Sequence, residues 1–180
     1  HVFMAIVPIL YFIKGENLAD FFSLTPNELV TYACLSLVFL EMIRLYFGII
    51  IVGQREYEAH QVSALAWGAI GIGLVILMAP TKEYIWPLIL SLSLGDPLMG
   101  ELRRKGFEDK QVMIYSTIAI AVIWMTCWHF FATPLWLVPL MAPLCMISEW
   151  PRLRWIDDNA TMVLIPLCAI LLLDPFIGLL

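Results

Sequence analysis

Residues 25–52 read TPNELVTYACLSLVFLEMIRLYFGIIIV, and this stretch decides what kind of protein the chain is. Thr25, Pro26 and Glu28 make a helix start. The threonine caps, the proline takes the first helical position where no N–H is needed, and the glutamate closes a capping box. The run after it, from about Asn27 to Val52, carries no charge past Glu28 except Glu41 and Arg44. About 20 such residues cross the hydrocarbon of a bilayer.

The rest of the chain has the same character. Its 180 residues are 62% hydrophobic and 14% charged, with a mean hydropathy of +0.88. Soluble domains are about half apolar and about a quarter charged. The composition therefore excludes a soluble domain, a disordered chain, a collagen and a disulfide scaffold. The expected fold is all-α: a polytopic membrane protein of about seven transmembrane helices in one bundle, a single domain over 1–180.

The other six spans come from the same reading. Val2 to Ile13 is a short first span. Lys14-Gly15-Glu16 comes after it, so there is no small-residue cleavage site of a signal sequence. The third runs from Val62 to Met78 and stops at Ala79-Pro80. The fourth begins near Tyr84 and Trp86 and reaches Leu94, where it meets Gly95-Asp96-Pro97. The fifth covers Val112 to Ala132 and the sixth Leu135 to Ile147. The seventh covers Thr161 to Leu173, with a kink at Pro166 and an end or break at Asp174-Pro175. The GAIGIG stretch at 68–73 lies within an apolar helix, with no strand before it. Ala64, Gly68 and Gly71 share a face, so the stretch reads as close helix packing and not as a nucleotide fingerprint. Cys34, Cys127, Cys145 and Cys168 all lie in apolar runs without paired spacing and read as small hydrophobes.

Lysine and arginine orient the bundle. The loops after spans two, four and six hold Arg55, then Arg103, Arg104, Lys105 and Lys110, then Arg152 and Arg154. The odd loops hold Lys14 and Lys82. Seven against two places loops 53–61, 101–111 and 148–160 in the cytoplasm, together with the N-terminus. Trp86, Trp136, Trp150 and Trp155 fall at span ends as interface anchors.

The same three loops hold most of the unusual polar residues. If the fourth helix continues past Pro97, then Asp96, Gly100, Arg103 and Arg104 share one face. A carboxylate there can hold Mg²⁺ through oxygen, and paired arginines can grip phosphate. Snorkelling explains Arg103, Arg104 and Lys105 equally well, but it leaves Asp96 without a reason. Asp157-Asp158-Asn159 before the last span suits either a helix cap or a second cation or substrate site. Glu149 reads as an interface charge. Glu41 and Arg44, three residues apart, are either an intrahelical ion pair or functional intramembrane charges. His60 is either a general base, a phosphate contact or an interface residue.

Three stretches together resemble the CTP-dependent lipid kinases grouped around dolichol kinase, phytol kinase and the yeast-type diacylglycerol kinase. They are Glu58-Ala59-His60-Gln61, Gly95-Asp96-Pro97 with Gly100 and Arg103-Arg104, and Glu149 with Ile156-Asp157-Asp158-Asn159 and Pro166. The resemblance covers about residues 41 to 173. It implies a polytopic enzyme that moves a phosphoryl group from CTP, or another nucleotide, to a membrane-embedded isoprenoid alcohol such as dolichol or another polyprenol. Carried onto this sequence, it implies Mg²⁺ at Asp96 and at Asp157 or Asp158. Phosphates would be held by Gly95, Gly100, Arg103, Arg104 and Lys105, and the hydroxyl proton would pass to His60 or a carboxylate such as Asp158. Glu41, Arg44, Glu58, Glu149 and Asn159 are further candidates. The expected partners are the lipid alcohol, the nucleotide and the bilayer, with no nucleic acid. One departure stands out: the family's Lys and Ser/Thr-rich segment after the Gly-Asp element is missing, and Lys110-Gln111 runs directly into the fifth span. A CDP-lipid-forming cytidylyltransferase and a non-catalytic membrane scaffold or transporter therefore stay open beside the kinase.

Overall fold

The computed structural model describes residues 2–51, 59–151, 153 and 155–177. Among them the chain is 82% helix with no strand. A 3₁₀ turn, Val2–Ala5, leads into α1 (Ile6–Phe21), followed by α2 (Pro26–Phe47) and α3 (Ala64–Met78). Next, α4 (Lys82–Leu90) passes through a π-helical turn, Ser91–Gly95, into α5 (Asp96–Arg104). After α6 (Asp109–Phe131), a 3₁₀ turn at Leu135–Leu137 opens α7 (Val138–Ile147), and α8 (Asp158–Ile177) closes the described chain. Among the described residues three helices are long and apolar enough to cross a membrane: Pro26–Phe47, Asp109–Phe131 and Asp158–Phe176. Ala64–Met78 and Leu135–Ile147 are shorter apolar helices.

Local chemistry accounts for the helix ends. The capping box before α2 is formed: the Thr25 hydroxyl accepts from the Glu28 N–H at 3.3 Å, and the Glu28 carboxylate accepts from the Thr25 N–H at 2.7 Å. Gly48 ends α2 in the left-handed conformation, φ +62°, so the helix stops short of the expected Val52. In the other direction, α1 runs through Lys14-Gly15-Glu16, where a loop was expected. The segment is polar but rich in helix formers. The last helix likewise continues past Asp174-Pro175, where an end or break was expected.

The core lies between α3, α4, α6, α7 and α8, around Val75, Leu88, Leu92, Ile120, Trp124, Met141 and Met162, all buried. Small residues bring α3 close to its neighbours. A Cβ on Gly71 would sit 3.8 Å from Val163 of α8, and one on Gly73 would have no room against Cys34 of α2. The outer helices are apolar on the outside as well. Leu35, Phe39, Leu40, Met42, Tyr46 and Phe47 of α2 are all exposed, an apolar surface too large for a soluble monomer.

Prolines within the helices leave carbonyls that need other donors. Pro87 cannot serve the Glu83 carbonyl, which accepts instead from the buried Thr133 hydroxyl at 2.9 Å. Pro97 has no N–H to offer, and the backbone ahead of it widens into the π turn. That turn is pinned by Trp124, whose indole N–H donates to the Ser91 hydroxyl at 3.0 Å. Trp86 stacks between Phe12 of α1 and Phe131 of α6, with centroids 5.4 and 4.5 Å away. These contacts hold the end of the bundle remote from Asp96.

Candidate functional site

The helix does continue past Pro97, and α5 carries Asp96 at its first residue and Arg103 near its last. This helix is polar and lies outside the three long apolar helices. Arg103 reaches Glu149, 46 residues away, just beyond α7. Its Nη1 and Nη2 donate to the two carboxylate oxygens at 2.5 and 2.7 Å. The two side chains are unequally covered, 37% exposed for Arg103 and 5% for Glu149. The guanidinium also lies over the Trp150 ring, 5.0 Å from its centroid. Glu149 is therefore a buried partner and not the interface charge expected from the sequence.

The start of α8 supplies the other half of the cluster. The Asp157 carboxylate accepts from the Asn159 backbone N–H at 3.1 Å and from its side-chain Nδ2 at 2.5 Å. The Asp157 carbonyl accepts from the Ala160 N–H at 3.0 Å. Asp157 thus caps the helix. Asn159 is 3% exposed and packs on α3, its Cβ 3.7 Å from where a Gly68 Cβ would be. Among the described residues its Oδ1 has no hydrogen-bond partner. Reversing the amide would set oxygen against the Asp157 carboxylate, so the orientation is chemically fixed. Asp158, the first residue of α8, is exposed.

Charge ties these pieces into one site. Burial pushes the Asp96 carboxyl up to about 6, and the nearby carboxylates of Glu149 and Asp157 add to the effect. Arg103 is raised further above its ordinary value, first by its hydrogen bonds to Glu149. The charges of Glu149, Asp109 and Asp158 add to it. Asp96, Arg103, Glu149, Asp157, Asp158 and Asn159 therefore share one end of the bundle.

The remaining candidates lie elsewhere or do other work. Gly95 is buried, with its Cβ position 3.4 Å from Ile120 and 3.7 Å from Met162, so its bareness serves helix packing. Gly100 faces open space. Arg104 and Lys105 turn to solvent and pair with Glu101 at 2.7 and 3.7 Å. Of the three basic residues expected to grip phosphate, Arg103 is the one in the acidic cluster. Glu41 and Arg44 form a buried pair that holds the segment after α2. Arg44 donates to the Glu41 carboxylate at 2.8 and 2.9 Å, to the Ile49 carbonyl at 3.0 Å and to the Gln61 carbonyl at 2.6 Å. Glu41 accepts from the Ser63 N–H at 2.6 Å. His60 is exposed, and among the described residues no hydrogen bond or ion pair joins it to the acidic cluster. Glu58, like Arg55, Arg152 and Arg154, lies outside the described residues. Trp150 as a platform for Arg103 was not foreseen, although it is the residue next to Glu149.

The donors at this end are hard oxygens, the chemistry that Mg²⁺ prefers. They are not assembled for it: among the described residues no group of three or more His, Cys, Asp or Glu side chains is arranged to hold a metal ion. Both Glu149 oxygens are engaged by Arg103, and one Asp157 oxygen by Asn159.

Comparison with family models, with curated proteins and with solved structures found no match to this chain.

Proposed function

We propose that the protein is a polytopic membrane enzyme of the CTP-dependent lipid kinase type. On this reading it moves a phosphoryl group from CTP, or another nucleotide, to a membrane-embedded isoprenoid alcohol such as dolichol or another polyprenol. The apolar rods α1, α2, α3, α4 with its π turn, α6, α7 and α8 are read as seven crossings. The ends bearing Asp96, Glu149 and Asp157 then face the cytoplasm, as the charge bias of the loops expects.

One observation carries the reading. Asp96 and Arg103 of α5, Glu149 beyond α7, and Asp157 and Asn159 at the start of α8 converge at one end of an apolar bundle. Phosphoryl transfer asks mainly for positioning and charge neutralisation. In this reading Arg103 holds phosphate, the open backbone at Gly100 lets the anion approach, and Asp96 and Asp158 offer carboxylates to Mg²⁺ and to the hydroxyl proton. Mg²⁺ would neutralise charge on the transferred group. The alcohol reaches this end from the bilayer, its tail in lipid and its hydroxyl at the surface.

Labelled CTP and a polyprenol, supplied to the purified protein with Mg²⁺, test the reading. CDP together with lipid monophosphate is the expected product, and loss of it in Asp96→Asn and Asp158→Asn is the expected control. With a lipid monophosphate supplied in place of the alcohol, CDP-lipid with pyrophosphate would instead establish a cytidylyltransferase. The engaged state of Glu149 favours a second reading, a non-catalytic scaffold. Absence of Mg²⁺-dependent nucleotide binding, with function retained in Asp96→Asn and Asp158→Asn, would overturn the enzyme reading.

A further inference from the structure

The end of the bundle remote from Asp96 carries a cavity of about 510 Å³, lined by Phe12 of α1, the start of α4 and the end of α6. Trp86 joins the three helices there, stacked on both Phe12 and Phe131. In the lining Phe12, Trp128 and Phe130 are 39%, 47% and 70% exposed. The cavity therefore opens on the apolar outer surface of the bundle. Lys14 and Glu16 follow Phe12 on α1, and tryptophans cluster at the same level, which is the composition of a membrane–water boundary.

Two opposite charges complete the lining. Lys82 and Glu83, the first two residues of α4, both border the cavity, with His129 across from them on α6. A ligand that satisfies all of these groups needs an anion, a cation and an apolar body. A metal ion or a free phosphate would leave one charge and the aromatic rings unused. The cation is further defined by the rings. Trp86 already stacks on two of them, so no aromatic cage is left to surround a quaternary ammonium. A primary ammonium instead donates hydrogen bonds, and the Glu83 carboxylate accepts them.

We propose that this cavity binds one phospholipid with a zwitterionic headgroup bearing a primary ammonium, of the phosphatidylethanolamine kind. Lys82 holds the phosphodiester, Glu83 accepts from the ammonium, and the imidazole of His129 is a further donor to the phosphate oxygens. The volume suits a headgroup with its glycerol, and the acyl chains run from it along Phe12 and Phe130 into the bilayer. The site is separate from the acidic cluster and does not depend on the enzymatic reading.

The test uses the full chain in nanodiscs made from equal parts of dioleoyl phosphatidylethanolamine, phosphatidylcholine and phosphatidylglycerol, with retained lipid counted by native mass spectrometry. Wild type should retain one lipid, with the ethanolamine headgroup favoured about tenfold over each of the others. Glu83→Gln should erase the preference over choline while a phospholipid is still retained. Lys82→Gln should lower retention of all three, because they share the phosphodiester. Lys82 and Trp128 are exposed, so changes there leave the bundle folded. To place the lipid, phosphatidylethanolamine with brominated chains should quench tryptophan emission in wild type, and Trp128→Phe should lose part of that quenching. Equal retention of the three lipids, or an unchanged ethanolamine preference in Glu83→Gln, overturns the proposal. A preference for the glycerol headgroup that Lys82→Gln removes would overturn it in favour of an anionic lipid. A dimer that Trp128→Phe dissociates would overturn it in favour of a second copy of the chain.

Discussion

Arg44→Met gives the sharpest test of how this bundle holds charge within its apolar interior. Arg44 and Glu41 are 5% and 11% exposed at the side chain, and Arg44 also serves two backbone carbonyls, those of Ile49 and Gln61. Removing Arg44 leaves the Glu41 carboxylate buried without a counter-charge, a loss of about 3–5 kcal/mol. In the double variant Glu41→Gln/Arg44→Met no charge is stranded. The Gln oxygen can still accept from Ser63, so the loss that remains includes the bonds to the Ile49 and Gln61 carbonyls, about 1 kcal/mol each. The double variant should therefore be more stable than Arg44→Met by about 1–3 kcal/mol. Thermal unfolding in detergent reads this as a drop on the order of 10 °C for the single change, partly recovered in the double. A double-mutant cycle whose coupling falls below about 0.5 kcal/mol would refute the reasoning. It would mean that water or lipid headgroups already solvate the pair.

Three further outcomes are expected from the packing and the topology. Gly73→Ala should cost about 1–3 kcal/mol, because a Cβ there runs into Cys34. Cys34→Ala in the same chain should restore most of the loss in thermal unfolding, while Gly71→Ala, facing ordinary contact at 3.8 Å, should be nearly neutral. Trp124→Phe removes the donor to buried Ser91 and should cost about 1–3 kcal/mol. Ser91→Ala added to it should relieve part of that loss, and equal stabilities of the single and double variants would show that water had replaced the indole. In intact cells carrying a cysteine-free variant, Lys82→Cys should react with a membrane-impermeant maleimide. Lys105→Cys should react only after permeabilisation, and the opposite pattern would invert the proposed orientation.

Much of the fold could be read locally, because caps and breakers act within a turn. Thr25 and Glu28 close their box, Asp157 caps α8, and the three-residue spacing of Glu41 and Arg44 leads to a formed pair. Where the structure differs, the local signal is ambiguous. Ile49, Ile50 and Ile51 are as apolar as the helix before them, and Gly48 was the available stop signal. Lys14-Gly15-Glu16 looked like a loop by polarity and is helical by propensity. The decisive contact of the site was not legible at all. Arg103 and Glu149 are 46 residues apart, and no periodicity links an arginine after one span to a glutamate after another. Gly95 shows the converse: a motif glycine whose bareness is needed by Ile120 and Met162 and not by a ligand.

The π turn at Ser91–Gly95 stores a residue. A π turn holds about one residue more than the α-turn it replaces, so it takes that residue in without turning the helix beyond it. Excising Leu94, which is exposed, would allow the rod to close into plain α-helix with Asp96 and Arg103 on the face they now occupy. In aligning related chains, a one-residue gap at this point is therefore to be read as the loss of a bulge and not as a change of face.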